Sequence, residues 1–310
     1  MNAATTSPVV VGVDGSSGSR AATLFAVGEA RRLDAPLKLV HVVPSYSAMP
    51  PAPMMALPPT DLVGTGQRIL ERADSEVRAV APDLTIETEL RRGVRHHELA
   101  DASTKASHLV VGQDKRPLLD RLLLGNTVTG VASRANCPVT SVPHDWDPAA
   151  DHGLVVVGVK APSHAEELLG EAFAVASARD ATLLVLHAWR LPGGYDDIIA
   201  DRVAVEEWTA RTSKELDEVL APWRRVYPDV MVETKVVHDY APTALAQASR
   251  DADLLVLVRR AHGVPAATHL GGTARGVLRT AACPVRVVPP RPVVYSTGSS
   301  SEQAHPAGAT

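Results

Sequence analysis

The chain repeats itself at a constant offset of 146 residues, with Val9 recurring as Val155 and Cys137 as Cys283, and the register holds without a net insertion or deletion. Val9 to Asp14 (VVVGVD) lies over Val155 to Lys160 (VVVGVK), and His41 lies over His187. Pro82 to Thr88 (PDLTIET) lies over Pro228 to Thr234 (PDVMVET), and Ala135-Asn136-Cys137-Pro138-Val139 over Ala281-Ala282-Cys283-Pro284-Val285. Each copy is about domain-sized, so the pattern is a tandem duplication and not the short period of a solenoid. The expected domains are residues 1–146 and 147–291, followed by a Ser-, Gly- and Ala-rich tail at 292–310 expected to be disordered. A residue that differs between the copies marks a place where their chemistry can have parted.

Within one copy, Val9 to Val13 is a continuous apolar run stopped by Asp14-Gly15-Ser16, as expected of a strand buried on both faces of a parallel sheet. Ser17 can cap a helix to about Leu33 with Ala22, Phe25, Ala26 and Ala30 along one face. Further strands are expected at Pro36 to Val43, Pro82 to Gly93, Leu109 to Gly112 and Pro138 to Val142. Helices are expected at about Asp61 to Ala81, Arg95 to Ala106 and Asn126 to Arg134. Strands alternating with helices imply right-handed crossovers and an α/β, doubly wound parallel sheet in each copy. The stretch from Pro44 to Thr60, with six prolines and three methionines, fits neither a regular helix nor a strand. It follows the second strand, where it is either a lid over the carboxyl edge of the sheet or a connector.

A net charge of −4 and a pI near 6.3 give no electrostatic footprint for nucleic acid, and no run of eighteen apolar residues offers a membrane span. Small molecules or proteins are the expected partners. Met1 to Pro8 lacks a charged segment leading into an apolar one, so no signal peptide is read there. Cys137 and Cys283 fall at the same place in separate copies and are read as reduced thiols of a cytoplasmic protein.

These blocks together resemble the universal stress protein family in its tandem-domain form. The resemblance is carried by the VVVGVD first strand and a second strand ending in His-Val or His-Ala. A fourth strand of the Asp-Leu-Leu-Val-Val-Gly type and the closing Leu-Gly-x-x-x-x-x-Val and Ala-x-Cys-Pro-Val blocks complete it. It implies a five-stranded sheet of order 3-2-1-4-5 in each domain and a pseudo-dimer formed within one chain, with a further surface free for a homodimer. It also implies a stress-response regulatory protein, not an enzyme, that binds adenine nucleotide and signals through an unidentified protein partner. Many members bind ATP, with or without Mg²⁺, and others do not. The alternatives are an interaction scaffold that binds no nucleotide, or a slow nucleotide hydrolase.

The family's ATP signature is Gly, two residues, Gly, nine residues, Gly, then Ser or Thr. Its glycines let backbone approach ribose and phosphate, and its last pair opens a helix whose free amides hold anion. In the first copy the frame falls on Gly112, Lys115, Gly125 and Asn126, followed by Thr127. Lys115 replaces a glycine and, with Arg116, either pairs with phosphate, fills the space a glycine would leave, or is solvated. Asn126 is a good cap. The resemblance assigns Asp14 to the ribose or base and the Val42 backbone to the adenine edge, although Asp14-Gly15-Ser16 is also an ordinary turn. In the second copy the frame reads Val258, Ala261, Gly271 and Gly272, and Lys160 replaces the acid. His41 and His187 are read as structural. The run Arg91 to His97 is either a basic rim or a solvated edge, since adjacent histidines do not share a helix face and lack zinc spacing. Ser16 and Ser17 have no base in the sequence to activate them.

Overall fold

The computed structural model describes residues 6–45, 59–113, 127–160, 165–190, 202–259 and 270–290. The first repeat supplies strands β1 (Val9–Gly12), β2 (Leu37–Val43), β3 (Ile86–Arg92), β4 (His108–Gly112) and β5 (Val139–Val142). Its helices are α1 (Ser17–Arg32), α2 (Pro59–Val80), α3 (Arg95–Ala102) and α4 (Thr127–Ala132). The second repeat supplies β6 (Leu154–Gly158), β7 (Thr182–Trp189), β8 (Val232–His238), β9 (Leu254–Val258) and β10 (Val285–Val288). Its helices are α5 (Glu166–Ala178), α6 (Arg202–Val226), α7 (Ala241–Ala248) and α8 (Gly272–Thr280).

All ten strands join one sheet in the order β3-β2-β1-β4-β5-β10-β9-β6-β7-β8. Each half is parallel in the order expected of it, 3-2-1-4-5, and the halves meet where β5 and β10 pair antiparallel. Val9, Val10 and Val11 have no exposure at all. Strand alternation sends Val9 and Val11 to a core formed with α1, α2, α5 and α6, and Val10 to a second core formed with α3, α4, α7 and α8. A strand apolar at every position is the consequence of covering both faces.

Several boundaries differ from the sequence reading. Ser16, not Ser17, caps α1: its side chain accepts from the Ser19 amide at 3.1 Å. β3 starts at Ile86 instead of Pro82, because the preceding residues close a turn in which the Leu84 amide donates to the Ala81 carbonyl. α1 and α5 each end in a left-handed aspartate, Asp34 at φ 47° and Asp180 at φ 52°, so the repeat extends to backbone conformation.

A buried ionic cluster crosses the junction. Arg286 on β10 donates through Nη2 to Glu29 on α1, through Nη1 to Glu171 on α5 at 2.8 Å, and through Nε to Thr140 Oγ1 on β5 at 3.3 Å. Glu29 also accepts from Arg179 at 2.6 Å and from Arg32 at 3.0 Å. His108 places Nδ1 3.1 Å from Arg286 Nη2 and Nε2 2.6 Å from Thr140 Oγ1. Arginine can only donate, so His108 Nδ1 is the acceptor and the proton sits on Nε2.

Burial would raise the Glu29 pKa, but Arg286 and Arg179 outweigh it and bring it from 4.5 to about 2. Burial, then Arg286, push His108 well below 6.5 against the opposing pull of Glu29. The folded chain therefore refuses a proton at His108 that the unfolded chain accepts, so stability is complete above pH 6.5 and falls as pH drops below it. Glu29 is silent in that window, since its contribution is lost only between 4.5 and about 2. Between pH 7.5 and pH 5 the His108 contribution to unfolding free energy is expected to fall, by at most about 2 kcal/mol. Urea unfolding of His108→Leu, the residue found at the repeat's counterpart Leu254, should lack that increment; an equal acid response in both proteins would refute the assignment.

Candidate functional site

In a sheet of this order the crossovers change direction between β1 and β4, and the crevice outside the carboxyl ends of these two strands is where such folds take ligands. On the β1 side, the Val13 amide donates to the Val40 carbonyl at 2.9 Å, beyond the Gly12–Val40 rung of the β1–β2 ladder. Main-chain groups alternate sides along a strand, so those of Val42 turn the same way as those of Val40 and face past the end of β1. His41 and Val43 face β3 instead, where the Gly93 amide donates to the Val43 carbonyl at 3.0 Å.

Asp14 is exposed at the mouth of this crevice. Its Oδ1 accepts from the Ser16 amide at 3.0 Å, and its own amide donates to Ser19 Oγ at 3.1 Å. The Asp-Gly-Ser turn is thus real, with Gly15 at φ 81°, and it fixes the carboxylate in place. His41 is buried with Nδ1 2.6 Å from the Val13 carbonyl, and His187 repeats the contact to Val159 at 3.0 Å. Each histidine thus holds the main chain of the residue that follows the first strand of its repeat.

Gly112 ends β4 half-buried, and a Cβ there would lie 2.1 Å from the Gly18 carbonyl oxygen and 2.7 Å from the Ser19 nitrogen. Gly18 is matched to it, since its own Cβ would lie 2.0 Å from the Gln113 carbonyl oxygen. The glycine therefore admits the first turn of α1 against β4. In the second repeat Val258 occupies this position, and α5 begins at Glu166, three places later in the repeat frame than α1. Thr127 is half-buried at the start of α4. Lys115, Gly125 and Asn126 lie outside the described residues, as do Ala261 and most of the segment from Pro44 to Thr60. In the second repeat Lys160 is exposed and Gly271 precedes α8.

Sequence reasoning missed two cross-domain anchors beside these frames. Gln113, next to Gly112, donates to the Leu278 carbonyl at 3.2 Å at the end of α8. Arg259, its repeat counterpart, donates to the Ala132 and Ala135 carbonyls at 3.2 and 3.0 Å at the end of α4. Leu278 and Ala132 are themselves counterparts, so the repeat alignment held the signal. The Arg91 to His97 run is partly committed to structure: Arg91 pairs with Glu89 at 2.8 Å and Glu98 at 3.3 Å. His96 packs over Gly130, and burial, then Arg134 and His97, lower its pKa. Among the described residues no three metal-ligating side chains converge and no helix is long and apolar enough to cross a membrane. Both cysteines are free and buried, and burial raises their pKa, that of Cys283 to about 12.

The sequence model of the universal stress protein family matches residues 5–143 and 153–289. A universal stress protein of Mycolicibacterium smegmatis is 33% identical over 296 residues, covering 94% of this chain and 100% of the relative. One from Mycobacterium tuberculosis is 33% identical over 292 residues, covering 90% and 96%. Among solved structures, a universal stress protein from Archaeoglobus fulgidus superimposes with a TM-score of 0.67 at 18% identity, covering 91% of this chain and 96% of that one.

Proposed function

Since this chain belongs to the universal stress protein family, we propose that its first domain binds an adenine nucleotide in the crevice between β1 and β4, and that occupancy regulates a protein contact. The observation that carries this reading is the pairing of two groups at the switch point. The Val42 main chain offers one donor and one acceptor past the end of β1, and the exposed Asp14 carboxylate stands beside it with only Oδ1 engaged by its own turn. A main-chain donor and acceptor side by side match N1 and the N6 amino group of adenine, and mismatch the O6 and N1–H of guanine. The second oxygen of Asp14 suits a ribose hydroxyl. ATP is the nucleotide expected, with Gly125, Asn126, Thr127 and Lys115 toward its phosphates. The second domain, with Lys160 for the acid and Val258 for the glycine, is read as the structural partner.

Titration calorimetry of the full chain with ATP in Mg²⁺ is expected to give one saturable site, at least about tenfold weaker with GTP. Asp14→Asn keeps the turn to Ser16 but sets an amino group where the ribose acceptor stood, and is expected to cost about 1.5–3 kcal/mol of binding, roughly ten- to hundredfold. Absence of saturable ATP binding at millimolar concentration would overturn the reading. It would favour the scaffold alternative, to which the altered second copy already points.

A further inference from the structure

The offset that relates the two halves also relates the two strands that join them. Position 286 is position 140 one repeat later, and the antiparallel register sets Val285 against Ser141, Arg286 against Thr140 and Val287 against Val139. A local twofold axis therefore passes through the Arg286–Thr140 pair, because rotation about it exchanges each junction residue with its repeat counterpart. In a symmetric pair of identical domains the residue on this axis would face itself. Here a guanidinium meets a hydroxyl.

The charges around the axis are equally one-sided. Arg286 is 4% exposed, Glu29 4% and His108 2%. Glu29 becomes Val175 in the second repeat, His108 becomes Leu254, and Thr140 becomes Arg286 itself. Read the other way, Glu171 becomes Phe25 in the first repeat and Arg179 becomes Leu33. Two first-type domains facing each other would bury Glu29 twice with no Arg286 to meet it. Two second-type domains would set two Arg286 side chains on one axis with no Glu29. In the first pairing each Glu29 keeps only Arg32 of its own domain, on Oε1, and its Oε2 loses the guanidinium; in the second each Arg286 keeps its own Glu171, but two guanidinium groups meet on the axis without Glu29. The Gln113 and Arg259 anchors behave differently: they donate to main-chain carbonyls that either type of domain offers, so they add hold without selectivity.

We propose that the Arg286–Glu29–Glu171–His108 cluster is a pairing code. Through it the β10 face of the second domain accepts a first-type domain, bearing Glu29 and Thr140, and rejects a copy of itself. The junction then forms only between unlike domains, whether of one chain or of two chains that exchange halves.

The test compares Thr140→Arg with Thr140→Met in the full chain, two substitutions of similar length of which one repeats the charge on the axis. Native-state amide hydrogen exchange is read strand by strand. Thr140→Arg is expected to speed exchange about tenfold or more in Val139–Val142 and Val285–Val288 while β1 and β6 keep wild-type rates, with Thr140→Met changing the junction by no more than about threefold. Equal effects of the two variants would make the response steric and overturn the proposal, as would slow junction exchange in Thr140→Arg. If both proteins fail to fold, Glu29→Gln decides, since it keeps shape and removes the charge contributed by the first domain. Faster exchange confined to β5 and β10 sustains the code; uniform change across all strands, or no change, overturns it.

Discussion

Replacing Arg286 with methionine is expected to lower the unfolding free energy by about 3–5 kcal/mol, because Glu29 keeps its charge in a buried site after losing its main partner. Arg179 and Arg32 still reach Glu29, but both approach through Oε1, and Oε2 is left with His108 at 3.7 Å. The triple variant Glu29→Leu, Arg179→Leu, Arg286→Met should behave very differently. Removing the three charges together leaves no fully buried charge: Glu171, which loses Arg286, is a quarter exposed, and the neutral His108 loses one donor, so a loss of no more than about 1–2 kcal/mol is expected, well short of the single variant. Urea unfolding at pH 7.5, far from the titrations of His108 and Glu29, measures both proteins. A single variant that loses less than about 1 kcal/mol would mean that Glu29 finds water on losing Arg286.

Gly112→Val, which installs the second repeat's own residue, is expected to cost about 3 kcal/mol, toward the upper end of overpacking. The atom that a Cβ would meet is the main chain of Gly18 at 2.1 Å, which moves only if the first turn of α1 moves. That turn includes the Ser16 cap and the Ser19 hydroxyl that holds the Asp14 amide. Nucleotide affinity should therefore fall together with stability. The reciprocal change, Val258→Gly, frees space instead of demanding it and should cost no more than about 1–2 kcal/mol. Thermal and urea unfolding of the pair test the asymmetry, and similar losses in both would show that the Gly112–Gly18 approach is not the reason for the glycine.

The parallel order of each half was legible because β1, β4 and β9 are short apolar runs between helical stretches, and an unbroken register over 146 residues, Val9 to Val155, assigns the second half from the first. The antiparallel junction was not legible as geometry. β5 reads like any buried strand, and which neighbour it takes depends on a docking that local pattern does not encode. Glu29 and Arg179 look in sequence like charges on solvated helix faces; their burial follows from where α1 and α5 cross the junction. At the candidate site, Asp14 and Val42 lie at the carboxyl end of the switch point, a position that follows from the strand order. Gly112 has a packing reason in the close approach of α1, a reason that spacing along the chain does not reveal.

The antiparallel meeting of β5 and β10 also fixes where the two repeats point. Strands within a half run the same way, so the carboxyl ends of β1 and β4 lie at one end of the ten-stranded sheet and those of β6 and β9 at the other. A duplicated domain joined by parallel pairing would crowd both mouths onto one rim, where a partner grasping one would shadow the other. This chain instead presents them back to back, so that the exposed Asp14 and the exposed Lys160 stand at opposite ends of the sheet, separated by the length of its strands.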